Sequence, residues 1–272
     1  MRVEACCTAL LKQILPTLDP QRQGLCLDVG VGTFAFYCQM FAQLGFSTIA
    51  IEPLPIPKLR QICQRHHIQL LETCLSNQTG TQTFYGGQFA RLGNQNFNSL
   101  APDWFGSSAR SQQVPTIDLP DLMEAIAAQQ ITCLKLDIEG WEPVVIQQFA
   151  DLPASLLPKV TMFEYGGGTD RQAGAKGWAP KFLEGTMQCL TTLQQRGYGL
   201  SIMVDYCHGT DVNVFDLQTM DLNPANVFPP NAVYGNIISF YEGSYPQEAI
   251  AQICQRYRGG VINWLVSQLV ST

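Results

Sequence analysis

Charge is scarce in this 272-residue chain: only 14% of its residues are Asp, Glu, Lys or Arg, and 16 scattered basic residues face 22 acidic ones. With a net charge of −6 and no basic stripe, the chain lacks the electrostatic footprint of a nucleic-acid binder. It has no Lys/Arg cluster for an anionic membrane surface, and no apolar run reaches the roughly 18 residues of a membrane span. No two of its ten cysteines are spaced C-x-x-C, and its three histidines form no grouping with them, so no zinc site is expected. Disulfide frameworks belong to short secreted chains, whereas these cysteines sit mostly inside apolar runs and read as small core residues. Glu4 and Lys12 interrupt the apolar stretch near the N-terminus and spoil a secretory signal. The expectation is a soluble protein of a reducing, cytoplasmic compartment.

Hydrophobic residues make up 46% of the chain, enough for a sizeable core, and they alternate between two periods. A helical stretch from Val3 to about Leu15 ends near Pro16. Short apolar runs predict strands at 25–29, 47–52 and 68–75, with helices at 33–45 and 56–67 between them. The stretch 80–113 is rich in Gly, Asn, Gln and Ser interleaved with aromatics, and predicts a hairpin near 81–89. Beyond it the pattern predicts a helix at 118–129, a strand at 132–138, a helix at 142–149 and a strand at 159–165. A polar loop at 166–179 leads to a helix at 180–196, strands at 198–205 and 234–241, and a last helix at 260–270. Strand and helix alternation of this kind predicts an α/β fold. It is read as one domain over 1–272, with an N-terminal helical segment at 1–24 and about seven strands in a mostly parallel sheet covered by helices on both faces. The stretches 80–113 and 166–179 are expected to flank a crevice as substrate-side loops, because long insertions in compact domains are more often functional than idle.

The stretch "CLDVGVGTFAFYC", residues 26–38, places Gly30, Gly32 and Ala35 in the pattern G-x-G-x-x-G/A directly after a strand, with Glu52 about 20 residues on. Glycines let backbone approach a nucleotide-type ligand, the following helix offers free N–H groups, and an acid at the next strand end accepts from ribose hydroxyls. Asp28, two residues before the first glycine, discriminates between ligands. A carboxylate there repels the pyrophosphate of a nicotinamide dinucleotide, but attracts the ammonium and sulfonium of S-adenosylmethionine. Glu52 would then hold both ribose hydroxyls through charge-assisted hydrogen bonds. The competing account is that Asp28 merely caps the turn or helix that follows.

A second constellation, "CLKLDIEGWEPVVIQQF", sets Asp137, Glu139 and Glu142 at a buried strand end and helix start. Strand ends of an open parallel sheet face one crevice. Acids at a helix N-terminus also gain about 0.3–1 kcal/mol from its dipole, which is the reading preferred for Glu142. Asp137, at the end of an apolar strand, needs a partner.

With "LDVGVGTFAFY", "AIEPLP", "VPTIDLPDLMEAIAAQQITCLKLDIEGWEPVVI" and "PKVTMFEY", the chain from about 25 to 165 resembles the FkbM-type S-adenosylmethionine-dependent methyltransferases. The D-I-E-G block after a T-I-D-L helix start is the most specific part. The resemblance implies a class I methyltransferase-like Rossmann fold, S-adenosylmethionine as cofactor with S-adenosylhomocysteine as product, and O-methylation of a small metabolite, sugar or glycan, or polyketide-like acceptor. It matches Asp28, Gly30 and Glu52 to cofactor-binding positions and Asp137 and Glu139 to signature acids; Gly32, Ser76 and Asp137 complete the expected cofactor-binding set. Phe34 stands where the family commonly has a further glycine. For the proton of the acceptor hydroxyl, Asp137 and Glu164 are eligible by position and His208, in "VDYCHGTD", by its ordinary pKa. Asp137, Glu139 and Glu164 offer oxygens for Mg²⁺ or Ca²⁺, but no metal is demanded by their spacing. The runner-up readings are an NAD(P)-dependent oxidoreductase and a catalytically silent cofactor-binding module. Neither nucleic acid nor membrane insertion is expected, and the oligomeric state is left open.

Overall fold

A computed structural model describes residues 2–89, 92–93, 95–167, 176–206, 210–241 and 245–257. The chain opens with α1 (Arg2–Leu18), which runs through Pro16 rather than ending there. Pro16 stands in the last turn; its fixed φ is helical, although it has no N–H for the Lys12 carbonyl, and the Asp19 N–H still donates to the Leu15 carbonyl at 2.9 Å. The alternation follows with β1 (Leu25–Val29), α2 (Phe36–Gln43), β2 (Thr48–Ile51), α3 (Pro57–His66) and β3 (Gln69–Leu71). The run expected as one strand over 68–75 is broken: β3 stays in the main sheet, while β4 (Cys74–Leu75) leaves it for a second one. There it joins β5 (Gly80–Phe89), β6 (Leu92–Gly93) and β7 (Gly106–Ile117) in the order β4-β7-β5-β6. The hairpin expected near 81–89 is met at its far end, where Gln88 and Phe89 of β5 pair antiparallel with β6, while most of β5 pairs antiparallel with the distant β7, with a register shift between Tyr85 and Gly86.

Next come α4 (Leu119–Ala125), β8 (Ile131–Leu136), α5 (Glu142–Ile146), β9 (Val160–Gly166) and α6 (Leu183–Gln195). The described chain closes with β10 (Tyr198–Asp205), β11 (Asp211–Asp216), α7 (Pro224–Val227), β12 (Tyr234–Tyr241) and α8 (Gln247–Gln255). The helix expected at 260–270 lies outside the described residues. The main sheet has eight strands, not seven, in the order β11-β10-β12-β9-β8-β1-β2-β3. The five from β9 to β3 are parallel, and β12, β10 and β11 pair antiparallel at one side. The added strand, β11, has no buried residue, so no buried apolar run announces it.

Side chains alternate across the sheet. On β1, β8 and β9, Leu27, Leu134 and Phe163 pack toward α4, α5 and α6, whereas Cys26, Cys133 and Met162 pack toward α1, α2 and α8. By the same period, Asp28, Lys135 and Glu164 fall on the face of α1 and α2. The nine described cysteines are buried and free. Among the described residues, no helix is long and apolar enough to cross a membrane.

Candidate functional site

The turn after β1 is left-handed at Gly30 (φ 72°) and Gly32 (φ 59°), as only glycine adopts freely. A Cβ at Gly30 would lie 1.7 Å from the Asp137 carbonyl oxygen, so the turn is packed directly on the end of β8. Glu52, after β2, accepts the Gly32 N–H through Oε2 at 3.0 Å and the Leu54 N–H through Oε1 at 3.1 Å. Burial pushes its pKa up and these bonds oppose the rise. Each carboxylate oxygen retains acceptor capacity for a further donor.

Beneath the turn, Asp28 is 1% exposed. Its Oδ2 accepts the Cys38 N–H in the first turn of α2 at 2.8 Å, and its Oδ1 faces Lys135 Nζ at 3.1 Å. Lys135 is itself buried, donates to the Gly30 carbonyl at 3.0 Å and stands 3.3 Å from Asp137 Oδ2. Burial alone would lower the Lys135 pKa, but Asp137 and Asp28 outweigh it and hold the ammonium charged. One buried cation therefore ties the glycine turn to the D-I-E-G segment.

That segment is bent by Glu139 (φ 58°) and Gly140 (φ 89°). Glu142 caps the bend, accepting the Ile138 N–H at 2.7 Å and the Gly140 N–H at 2.9 Å, and burial raises its pKa to about 7. Glu139 accepts a hydrogen bond from Trp104 Nε1. Glu164, on β9, faces Asp137 and Glu139; burial and then repulsion from these two carboxylates push its pKa well above the usual range. Carboxylate oxygens of Asp137, Glu139 and Glu164 lie within 4.8 Å of one another.

These groups surround a cavity of about 170 Å³ at the carboxyl ends of the parallel strands. Four carboxylates line it, Glu52, Asp137, Glu139 and Glu164, and among its lining residues there is no Lys, Arg or His. The stretch 80–113 contributes Phe84, Asn96, Asn98 and Leu100 to the wall.

Residues 28–199, more than half of the chain, match the family model described as the methyltransferase FkbM domain. The chain belongs to the FkbM methyltransferase family. No curated protein and no solved structure matches it. The FkbM match spans the glycine turn, Glu52, the D-I-E-G bend and Glu164.

In this FkbM domain the structure brings Gly30, Gly32, Glu52, Asp137 and Glu164 to one cavity. Asp28 and Ser76 stand one layer behind it. Asp28 is consumed by Cys38 and Lys135 beneath the turn, and the buried Ser76 accepts from Trp141 Nε1 at 3.1 Å, with Trp141 rather than Ser76 facing the cavity. His208 lies outside the described residues. Phe34 is at the mouth, half exposed and stacked on Phe36 with ring centroids 5.3 Å apart. Lys135 was not anticipated, and Trp104 was expected only as one of the aromatics of the 80–113 insertion. A lysine inside the apolar run "TCLKLDI" was a signal for the first, since an unpaired ammonium is not buried.

Proposed function

We propose that the protein transfers a methyl group from S-adenosylmethionine to a hydroxyl of a small metabolite, sugar or polyketide-like acceptor. The observation that carries this reading is the charge of the cavity wall, four carboxylates and no cation. Such a wall favours a donor that bears a sulfonium and an ammonium, and opposes the pyrophosphate of a nicotinamide dinucleotide, the competing ligand of a G-x-G turn. The residues present fit the donor: Glu52 retains lone pairs for ribose hydroxyls, and Gly30 and Gly32 keep the turn free of side chains. Asp28 acts indirectly, by holding Lys135 and the start of α2.

When bound, the donor supplies a methyl carbon bonded to a positively charged sulfur. The chain's own work is alignment and proton removal. Asp137 and Glu164 border the cavity and orient the acceptor hydroxyl, and Glu164 takes its proton as the O–C bond forms and the S–C bond breaks. A carboxylate whose pKa is raised is, once ionised, a stronger base than an ordinary one. The three clustered carboxylates are also a donor set for Mg²⁺ or Ca²⁺; abolition of turnover by EDTA would assign them a cation.

The test is thermal unfolding with S-adenosylhomocysteine, and separately with NAD and NADP. At about 100 times its dissociation constant a ligand adds ~2.7 kcal/mol of stability, a rise of several degrees for a chain of this size. A shift with S-adenosylhomocysteine alone is expected; a shift with NAD or NADP alone overturns the reading.

A further inference from the structure

On the sheet face covered by α1 and α2, one further carboxylate stands behind the cavity wall. Glu4, in the first turn of α1, accepts the Tyr37 hydroxyl of α2 through Oε2 and Asn236 Nδ2 of β12 through Oε1 at 3.2 Å. Both donors are buried, and each leads to a different acid of the site. The Tyr37 ring lies beneath the ammonium that pairs with Asp137, with Lys135 Nζ 5.3 Å from the ring centroid. Asn236 is the register partner of Glu164 across the antiparallel strands β12 and β9. Directly opposed residues set their side chains on one face with Cβ atoms about 4.5–5.5 Å apart, so the Asn236 amide stands beside the Glu164 carboxylate. Burial, then the neighbouring acids down to Glu4, push Glu164 up. Burial raises the Glu4 pKa too, with Asp137 adding to the rise and the Tyr37, Lys135 and Asn236 groups opposing it. Neither Glu4 nor Asn236 falls within the matched residues 28–199.

We propose that Glu4, carried by a helix outside the matched domain, is a specificity-determining residue of the methyl-donor site: held by Tyr37 and Asn236, its carboxylate favours the sulfonium of S-adenosylmethionine over the neutral thioether of S-adenosylhomocysteine. The inference rests on the methyl-transfer reading. Docking α1 does not call for a carboxylate. Val3, Cys6, Cys7, Leu10, Leu11, Ile14 and Leu15 already bury that helix in the apolar core, and a charge placed among them costs stability unless it is paired. Here it is not paired. Lys135 is committed to Asp28 at 3.1 Å and to Asp137 at 3.3 Å, and among the described residues Glu4 has hydrogen-bond donors but no ion-pair partner. Its charge therefore adds to those of Asp137 and Glu164 on the same side of the sheet. A positive sulfur in the cavity gains from that field, and a neutral sulfur does not.

Titration calorimetry on the full-length protein, with S-adenosylmethionine and separately with S-adenosylhomocysteine, tests this. Glu4→Gln keeps the shape and removes the charge, whereas Glu4→Asp, the second variant, keeps the charge and shortens the arm. Glu4→Gln should weaken S-adenosylmethionine about fivefold or more while S-adenosylhomocysteine stays within about twofold, because a unit charge still acts across several ångströms of protein. Glu4→Asp should retain most of the affinity for both ligands. A residue that only docks α1 gives the opposite order: the isosteric Gln is harmless and the shortened Asp is not. That order, or an equal loss of both ligands in Glu4→Gln, overturns the proposal. Failure of both ligands to bind the parent protein overturns the methyl-transfer reading, and the role of Glu4 with it. A parent that binds both, with variants that do not discriminate between them, overturns the role of Glu4 alone.

Discussion

Two layers of carboxylates lie at the end of the parallel strands, and they differ in what faces them. In the lower layer Asp28 is matched: Lys135 neutralises it, the Cys38 N–H bonds it, and it is almost wholly covered. In the upper layer Asp137, Glu139 and Glu164 crowd within 4.8 Å, and among the described residues Lys135, on the side of Asp137, is the ammonium in ion-pair reach. The same residue type thus serves two ends. A matched buried acid fixes backbone. A cluster of three carboxylates that shares one ammonium beside a cavity keeps net repulsion that a cationic ligand relieves, and strongly perturbed pKa values in clefts mark such sites.

The comparison breaks most visibly at Glu164. Glu164→Gln removes the proposed base, and turnover should fall about 10²- to 10⁴-fold with S-adenosylhomocysteine affinity held. In the parent enzyme the base must be ionised, so with its pKa raised by burial and by Asp137, turnover should climb with pH above the ordinary carboxylate range. A flat profile, or full activity in the variant, would transfer the role to Asp137. In the lower layer the expected loss is stability. Lys135→Met strands Asp28 in the interior, a change worth about 3–5 kcal/mol, or a fall on the order of 10 °C in Tm. Adding Asp28→Asn should restore part of it, whereas Asp137→Asn, at a third-exposed side chain, should alter Tm little. Equal losses from Lys135→Met and Asp137→Asn would erase the distinction between the layers.

Much of the parallel half was legible because β1, β2, β8 and β9 are largely buried and appear as mainly apolar runs, such as "LCLDV" and "TCLKLDI", each followed by a helix. The glycine turn, Glu52 and the D-I-E-G acids were legible for the same reason: spacing along the chain maps onto position at one sheet edge. The second sheet was not. The strands β5 and β7 are polar, and their pairing joins residues far apart in sequence, so local pattern does not announce it. The break between β3 and β4 hides inside one apolar run, since Leu71 and Cys74 look alike as strand residues while joining different sheets. Asp28 illustrates the limit at the site. Its position beside the glycines was plain, but the lysine that claims it comes from a strand about a hundred residues later, and only the register of Asp28 against Lys135 reveals the pair.

The bend between the layers gives the smaller effects. Gly140→Ala forces a side chain into a left-handed position and against Trp104 at 2.3 Å. Backbone strain of this kind costs about 1–3 kcal/mol, and a shifted indole should change the tryptophan emission; an unchanged Tm and spectrum would mean that Trp104 is not seated by that glycine. Glu142 should contribute least, and through pH. Its pKa in the folded protein, about 7, lies above the ordinary 4.5. The folded state therefore favours its protonated form, so its contribution is complete below about pH 4.5 and is lost as pH rises through about 7. Urea unfolding of the parent and of Glu142→Gln should show stabilities whose difference shifts against the parent between pH 5 and 8. A constant difference would mean that the two N–H bonds from Ile138 and Gly140 keep the group ionised, which would place Glu142 with the matched acids of the lower layer.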